Sequence, residues 1–225
     1  MKKLFAVFFV SVFLSTALSA DMEIIFQKAK TFQKEKQYAE AVKLYTTFLE
    51  KYPSSKEAAT AQYNTGICLL KLKKDTEAAA AFKEVPANYP ESTKAADSYL
   101  KIGSILAKQK KYEEALKNYR VVVDKYSDSA KAADAQFEIG SCYEKLKDKV
   151  NARKEYRKVI DNYSKSKKSD KAREKLAKLD GQKPSRKPRR TTIKKAALED
   201  EETPSRAVRK KDAGSCDDSA EDEDR

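Results

Sequence analysis

There is no histidine and no tryptophan in these 225 residues. Without imidazole, a Ser-His-Asp or Cys-His site, an imidazole-ligated metal and the commonest general base are all excluded. Glycine (5) and proline (6) are scarce, too few for a β-rich protein full of tight turns. Three cysteines without a Cys-x-x-Cys pair argue against thiol–disulfide exchange chemistry. No apolar run reaches the roughly 20 residues that a membrane-spanning helix needs. What the chain does have is charge: 37 % of residues are charged and 40 % apolar, with 48 Lys+Arg against 35 Asp+Glu. A core can form only if the charge is kept to one face of each element, and the composition favours helices with a solvated Lys/Glu surface.

The first twenty residues have the order of an export signal. Met1-Lys2-Lys3 is basic, Leu4 to Leu14 is apolar, and Ser15 to Ala20 is built mostly of small residues. Cleavage is expected after Ala20. No cysteine stands at that point, so no lipid anchor is expected, and the mature chain is expected to be periplasmic. The chain then divides into a signal peptide (1–20), a repeat domain (21–180) and a charged tail (181–225).

Self-similarity organises the middle of the chain. Four blocks (about 22–58, 59–95, 96–132 and 133–169) align without gaps at a period of 37 residues. Ala41, Ala78, Ala115 and Ala152 share one column; Tyr45, Phe82, Tyr119 and Tyr156 share another. Tyr52, Tyr89, Tyr126 and Tyr163 form a third, followed by Pro53, Pro90, Ser127 and Ser164. Ala29 is followed in phase by Gly66, Gly103 and Gly140, and Phe26 by Tyr63, Leu100 and Phe137.

Each block predicts two helices, in the second block about 58–72 and 76–85. Ser54 with Glu57 offers a capping box for the first, and Asp75 a cap for the second. The Tyr-Pro and Tyr-Ser steps end the second helix. The glycines are expected to let one helix approach its partner, with Ala78, Ala115 and Ala152 as the matching shallow surface and the aromatics beside them. A single hairpin cannot bury its apolar face, but stacked hairpins share a core. A half-repeat at 170–179, with Ala172 and Leu176 in phase, is expected to cap the stack.

Gly66, Ala78, Phe82 and Pro90 stand at the relative spacings of the tetratricopeptide repeat, and residues 22–179 resemble that family throughout. The resemblance implies an all-α, right-handed solenoid of four helix-turn-helix repeats plus a capping helix. The usual period is 34. The three extra residues and the Tyr-Pro-x-Ser turn resemble the exported subgroup, which includes the Tol–Pal-associated cell-division coordinator (CpoB/YbgF type) and the BamD-like outer-membrane assembly lipoproteins. The chain departs from both: Asp21 leads straight into the first helix, without a coiled-coil segment, and the lipidated cysteine is missing.

The implied function is a non-enzymatic interaction scaffold, with no catalytic residues, cofactor or metal. First helices are expected to line an inner groove. In the family's register its lining includes Phe26, Tyr63, Ile67, Leu100 and Phe137 as apolar grips and Lys34, Lys71, Lys108 and Lys145 as a positive rail. The partners implied are envelope proteins or extended peptide segments, acidic ones among them, and not nucleic acid. Each feature also has a structural explanation: a lysine at a helix end complements the dipole, and an aromatic at helical spacing is ordinarily core. A further lysine column, Lys36, Lys73, Lys110 and Lys147, falls in the loop between the helices. The rival class is a structural or self-oligomerising protein whose groove is filled by its own tail or a second copy.

Cys68 and Cys142 lie two repeats apart in one column, beyond disulfide reach, and are expected in the core. Cys216 sits in the tail, where it could pair with another chain. Pro86 is expected to shorten or kink its helix. Asn162-Tyr163-Ser164 matches a glycosylation sequon at a helix end and is read as accidental. In the tail, a basic block at 183–190 and acidic blocks at 199–202 and 217–224 predict disorder, with attachment to a membrane or cell wall through the basic block as its functional reading.

Overall fold

The computed structural model describes residues 20–181, which form nine helices and no strand. The expected signal peptide, the charged tail and Cys216 lie outside the described residues. Helix α1 covers residues 20–34. It is followed by α2 (Tyr38–Lys51), α3 (Ala58–Lys71), α4 (Asp75–Asn88), α5 (Thr93–Lys108), α6 (Tyr112–Lys125), α7 (Ala132–Lys145), α8 (Lys149–Asn162) and α9 (Lys167–Leu179). Each helix packs on the next. In addition α3 touches α5, α5 touches α7 and α7 touches α9, whereas successive second helices make no comparable contact. The first helices are therefore the more crowded set and form the inner side of an all-α solenoid.

The four turns from first to second helix are identical in backbone design. Lys36, Lys73, Lys110 and Lys147 hold φ of 61° to 64°. In the first, Gln37 N–H reaches back to Phe32 O at 2.9 Å and Lys36 N–H to Gln33 O at 3.2 Å. The same pair of bonds recurs at Lys74, Lys111 and Asp148. This is the Schellman ending, which satisfies carbonyls that a helix end leaves open. Glycine ordinarily holds its left-handed position, and a lysine there costs about 1 kcal/mol.

The helix starts differ from expectation. Ser92, Ser129 and Ser166 accept from the backbone N–H two residues on, each at 3.2 Å. Their repeat partner Ser55 does not, and the Ser54–Glu57 capping box is absent. Residues 55–57 form a bend and a turn, α3 begins only at Ala58, and Glu57 makes no capping bond. Nor does Asp75 cap α4. It is already the first helical residue, past the capping position, and its carboxylate accepts instead from Lys108 at 2.6 Å. Only Asp148, at the start of α8, caps a second helix, by accepting from Asn151 N–H at 3.0 Å.

Pro86 does not shorten its helix. Helix α4 runs on to Asn88 and has 14 residues, as α2, α6 and α8 have. Proline removes one bond, that to Phe82 O, but the closing bond from Tyr89 N–H to Val85 O remains, at 2.8 Å.

The glycines make room for the aromatic column. A Cβ on Gly66 would lie 2.7 Å from the Phe82 ring, one on Gly103 2.5 Å from Tyr119, and one on Gly140 2.7 Å from Tyr156. Each ring thus occupies the place of the missing side chain, and Ala41, Ala78, Ala115 and Ala152 are buried completely. The tyrosine that ends a second helix joins neighbouring repeats. Tyr89 OH donates to Pro53 O at 2.9 Å, and Tyr126 OH to Pro90 O at 3.3 Å. At the far end, α9 starts at Lys167, earlier than the expected 170. Arg153 clamps its last turn, donating to Asp180 at 2.6 Å and to Leu179 O at 2.7 Å.

Candidate interaction surface

The inner side is built from α1, α3, α5, α7 and α9, and it separates the expected grips into two kinds. Phe26 and Phe137 are only 6 % and 8 % exposed, so they are core and not groove. Phe26 lies 5.2 Å from the Phe48 ring, and Phe137 5.3 Å from that of Tyr156. Both rings pack against an aromatic of the following second helix. Tyr63 makes the equivalent contact with Phe82 at 5.4 Å, but it stays half-buried, as do Ile67 and Leu100. These three are the apolar side chains that a partner could touch.

Lysines sit over three of these rings. Lys30 sits 5.6 Å from the centre of Phe26, Lys94 5.3 Å from Tyr63 and Lys168 4.6 Å from Phe137. Lys168, with Lys131, also bridges the repeats through ion pairs. Lys131 pairs with Asp97 at 3.4 Å, and Lys168 with Asp134 at 3.6 Å and Glu138 at 3.1 Å. Lys94 reaches Asp97 at 3.9 Å. The sequence reading missed this ladder. Its signal was present as a Lys94/Lys131/Lys168 column and an Asp97/Asp134 column in the same phase, but a column by itself does not say which other column it meets across the stack. The ladder neutralises its own charge and leaves little net potential at the start of these helices.

The expected rail lies at the other end of the same helices. Lys34, Lys71, Lys108 and Lys145 are all exposed, in last turns where positive charge complements the dipole. Lys108 is tied to Asp75. Lys34, Lys71 and Lys145 make no ion pair among the described residues. The inner surface is therefore zoned: a compensated ladder at one end, half-buried Tyr63, Ile67 and Leu100 in the middle, and uncompensated lysines at the other end.

Burial, and not reactivity, governs the remaining titratable groups. It pushes the Cys68 and Cys142 thiols up to about 11, so both stay protonated and behave as small core residues. Burial likewise raises Tyr45 and Tyr63 to about 12. It also raises Tyr119 and Tyr156, the latter further because its hydroxyl donates to the Glu144 carboxylate. Among the described residues no three His, Cys, Asp or Glu side chains converge, and no helix is long and apolar enough to cross a membrane.

Comparison with known proteins agrees with this architecture. The tetratricopeptide repeat family model matches residues 26–93 and 100–167, more than half of the chain. No curated protein sequence matches. Among solved structures, MamA (residues 41 to the end) from Desulfovibrio magneticus RS-1 is 18 % identical, with a TM-score of 0.56 over 71 % of this chain and 84 % of that one. A tetratricopeptide repeat protein from Parabacteroides merdae is 17 % identical, with a TM-score of 0.58 over 71 % of this chain and 60 % of the other. The apo form of RapI is 17 % identical, with a TM-score of 0.62 over 71 % of this chain and 48 % of its own. At these identities the likeness is one of fold. The family match and the stacked helix pairs together show that the chain belongs to the tetratricopeptide repeat family, whose fold is that of a scaffold for protein or peptide partners.

Proposed function

We propose that the protein is a non-enzymatic scaffold of the bacterial cell envelope, exported by residues 1–20, that holds an extended segment of a partner protein against its first helices. The observation that carries this reading is the zoning of the inner surface. Half-buried Tyr63, Ile67 and Leu100 offer apolar contact, and the uncompensated Lys71 and Lys145 lie toward one edge of the same face. An acidic segment, or one ending in a carboxylate, complements that edge. The resemblance to the exported subgroup supports outer-membrane assembly or Tol–Pal-linked division as the setting.

Lys108 is a poor probe, because Asp75 already holds it. The informative variant is Lys71→Glu/Lys145→Glu, assayed by capture of partners from envelope fractions. Capture is expected to fall and to lose its salt dependence. A photo-crosslinker at Ile67 is expected to label a partner, whereas one at the exposed Thr46 on α2 is not. Unchanged capture, or equal labelling at both positions, removes the inner face from the function. A mass that rises with concentration in light scattering would favour the rival self-associating protein.

A further inference from the structure

The column Lys36, Lys73, Lys110 and Lys147 has no task within the fold. All four side chains are exposed, and none makes an ion pair or hydrogen bond with a described residue. All four hold the left-handed conformation that glycine adopts at least cost. The dipoles of the first helices are already complemented two residues earlier, by Lys34, Lys71, Lys108 and Lys145. A residue type that breaks a local backbone rule four times in register has its reason outside the packing of the chain.

We propose that the edge formed by these four turns is a peripheral docking surface for an anionic phospholipid bilayer. Successive hairpins stack about 10 Å apart, so the four turns present a row of positive charge roughly 30 Å long. The row is built from lysine and holds no arginine. Lysine is a hydrated point charge suited to diffuse attraction, whereas recognition of a particular carboxylate favours the bidentate fork of arginine. A protein ligand would also call for a central aromatic or apolar pocket. The edge offers Leu72, 37 % exposed and flanked by lysines, and Val150, 74 % exposed, which stand two repeats apart and so do not form one pocket. Attraction to anionic headgroups accumulates lysine by lysine and is screened by salt.

The test is co-sedimentation of the full chain with vesicles of phosphatidylglycerol and phosphatidylcholine, against vesicles of phosphatidylcholine alone. Binding to the anionic vesicles that weakens with salt is expected. The variant Lys36→Gly/Lys73→Gly/Lys110→Gly/Lys147→Gly should bind roughly tenfold or more weakly and yet melt several degrees higher. The control Lys43→Gln/Lys83→Gln/Lys117→Gln/Lys154→Gln removes the same charge from exposed positions on the second helices and should bind like the parent. Both variants keep the basic block at 183–190, so its contribution cancels. The proposal is overturned if the parent ignores anionic vesicles, if the control loses as much binding, or if the glycine variant melts lower. Capture of soluble polyglutamate by the same lysines, in place of vesicles, overturns it in favour of an acidic protein partner.

Discussion

Gly103 and Tyr119 show how one missing methyl group shapes a repeat. Replacing glycine by alanine inside a helix gains about 1 kcal/mol of propensity, but the new Cβ would lie 2.5 Å from a buried ring, and overpacking costs about 1–3 kcal/mol. Gly103→Ala is therefore expected to lower stability by about 1 kcal/mol in urea unfolding. An unchanged midpoint would mean that the ring shifts freely. Two serines make the opposite prediction. Ser98 and Ser169 are fully buried with hydroxyls that find no partner. After the first block, where Ile24 and Asp21 stand, their columns otherwise hold alanine, at Ala61, Ala135 and Ala172 and at Ala58, Ala95 and Ala132. Ser98→Ala and Ser169→Ala should each stabilise the protein by about 1 kcal/mol, read as a higher melting temperature; a loss would reveal a hidden hydrogen bond.

At the scale of the element, the helices are ended by different means at their two termini. The Schellman turns are backbone devices that recur in all four repeats, whereas the serine bond is missing at Ser55 even though α3 and α7 start at equivalent positions, Ala58 and Ala132. The terminal helix depends on one side chain. Arg153 occupies a column that otherwise holds Val42, Ala79 and Leu116, and it clamps the end of α9 with two bonds. It is 31 % exposed and its partner Asp180 37 %, so the ion pair itself adds no more than about 1 kcal/mol. Arg153→Ala should raise amide exchange in 170–179 while α3 to α6 keep their protection. Uniform loosening of all helices would show that α9 is not a separate unit of stability.

For the whole molecule, cohesion comes from rings packed on glycines within each hairpin, and from tyrosine hydroxyls on proline carbonyls and a Lys–Asp ladder between repeats. The buried tyrosines make this cohesion sensitive to alkali. Burial raises Tyr45 and Tyr63 to about 12 and raises Tyr119 and Tyr156 as well. The unfolded phenol ionises near 10. Their contribution is therefore complete below pH 10 and is lost as pH rises toward and beyond 12. Helical circular dichroism should hold up to pH 10 and collapse above it; a transition already complete below pH 9 would exclude these tyrosines as its cause.

The sequence by itself determined the repeat, its two helices and the identity of the buried columns. A 37-residue period acts on neighbouring side chains within one hairpin, and such local relations are written along the chain. It could not decide between core and groove for Phe26, Tyr63, Leu100 and Phe137, because one column can be buried by a large ring in one repeat and left half-open in the next. The left-handed lysines were visible as a column but not as a strained one, since a backbone angle has no letter. Only the tertiary structure decided which charges meet. Stacking brings residues 30 to 36 apart into contact, one repeat less a few residues, and those few residues follow from how the helices cross.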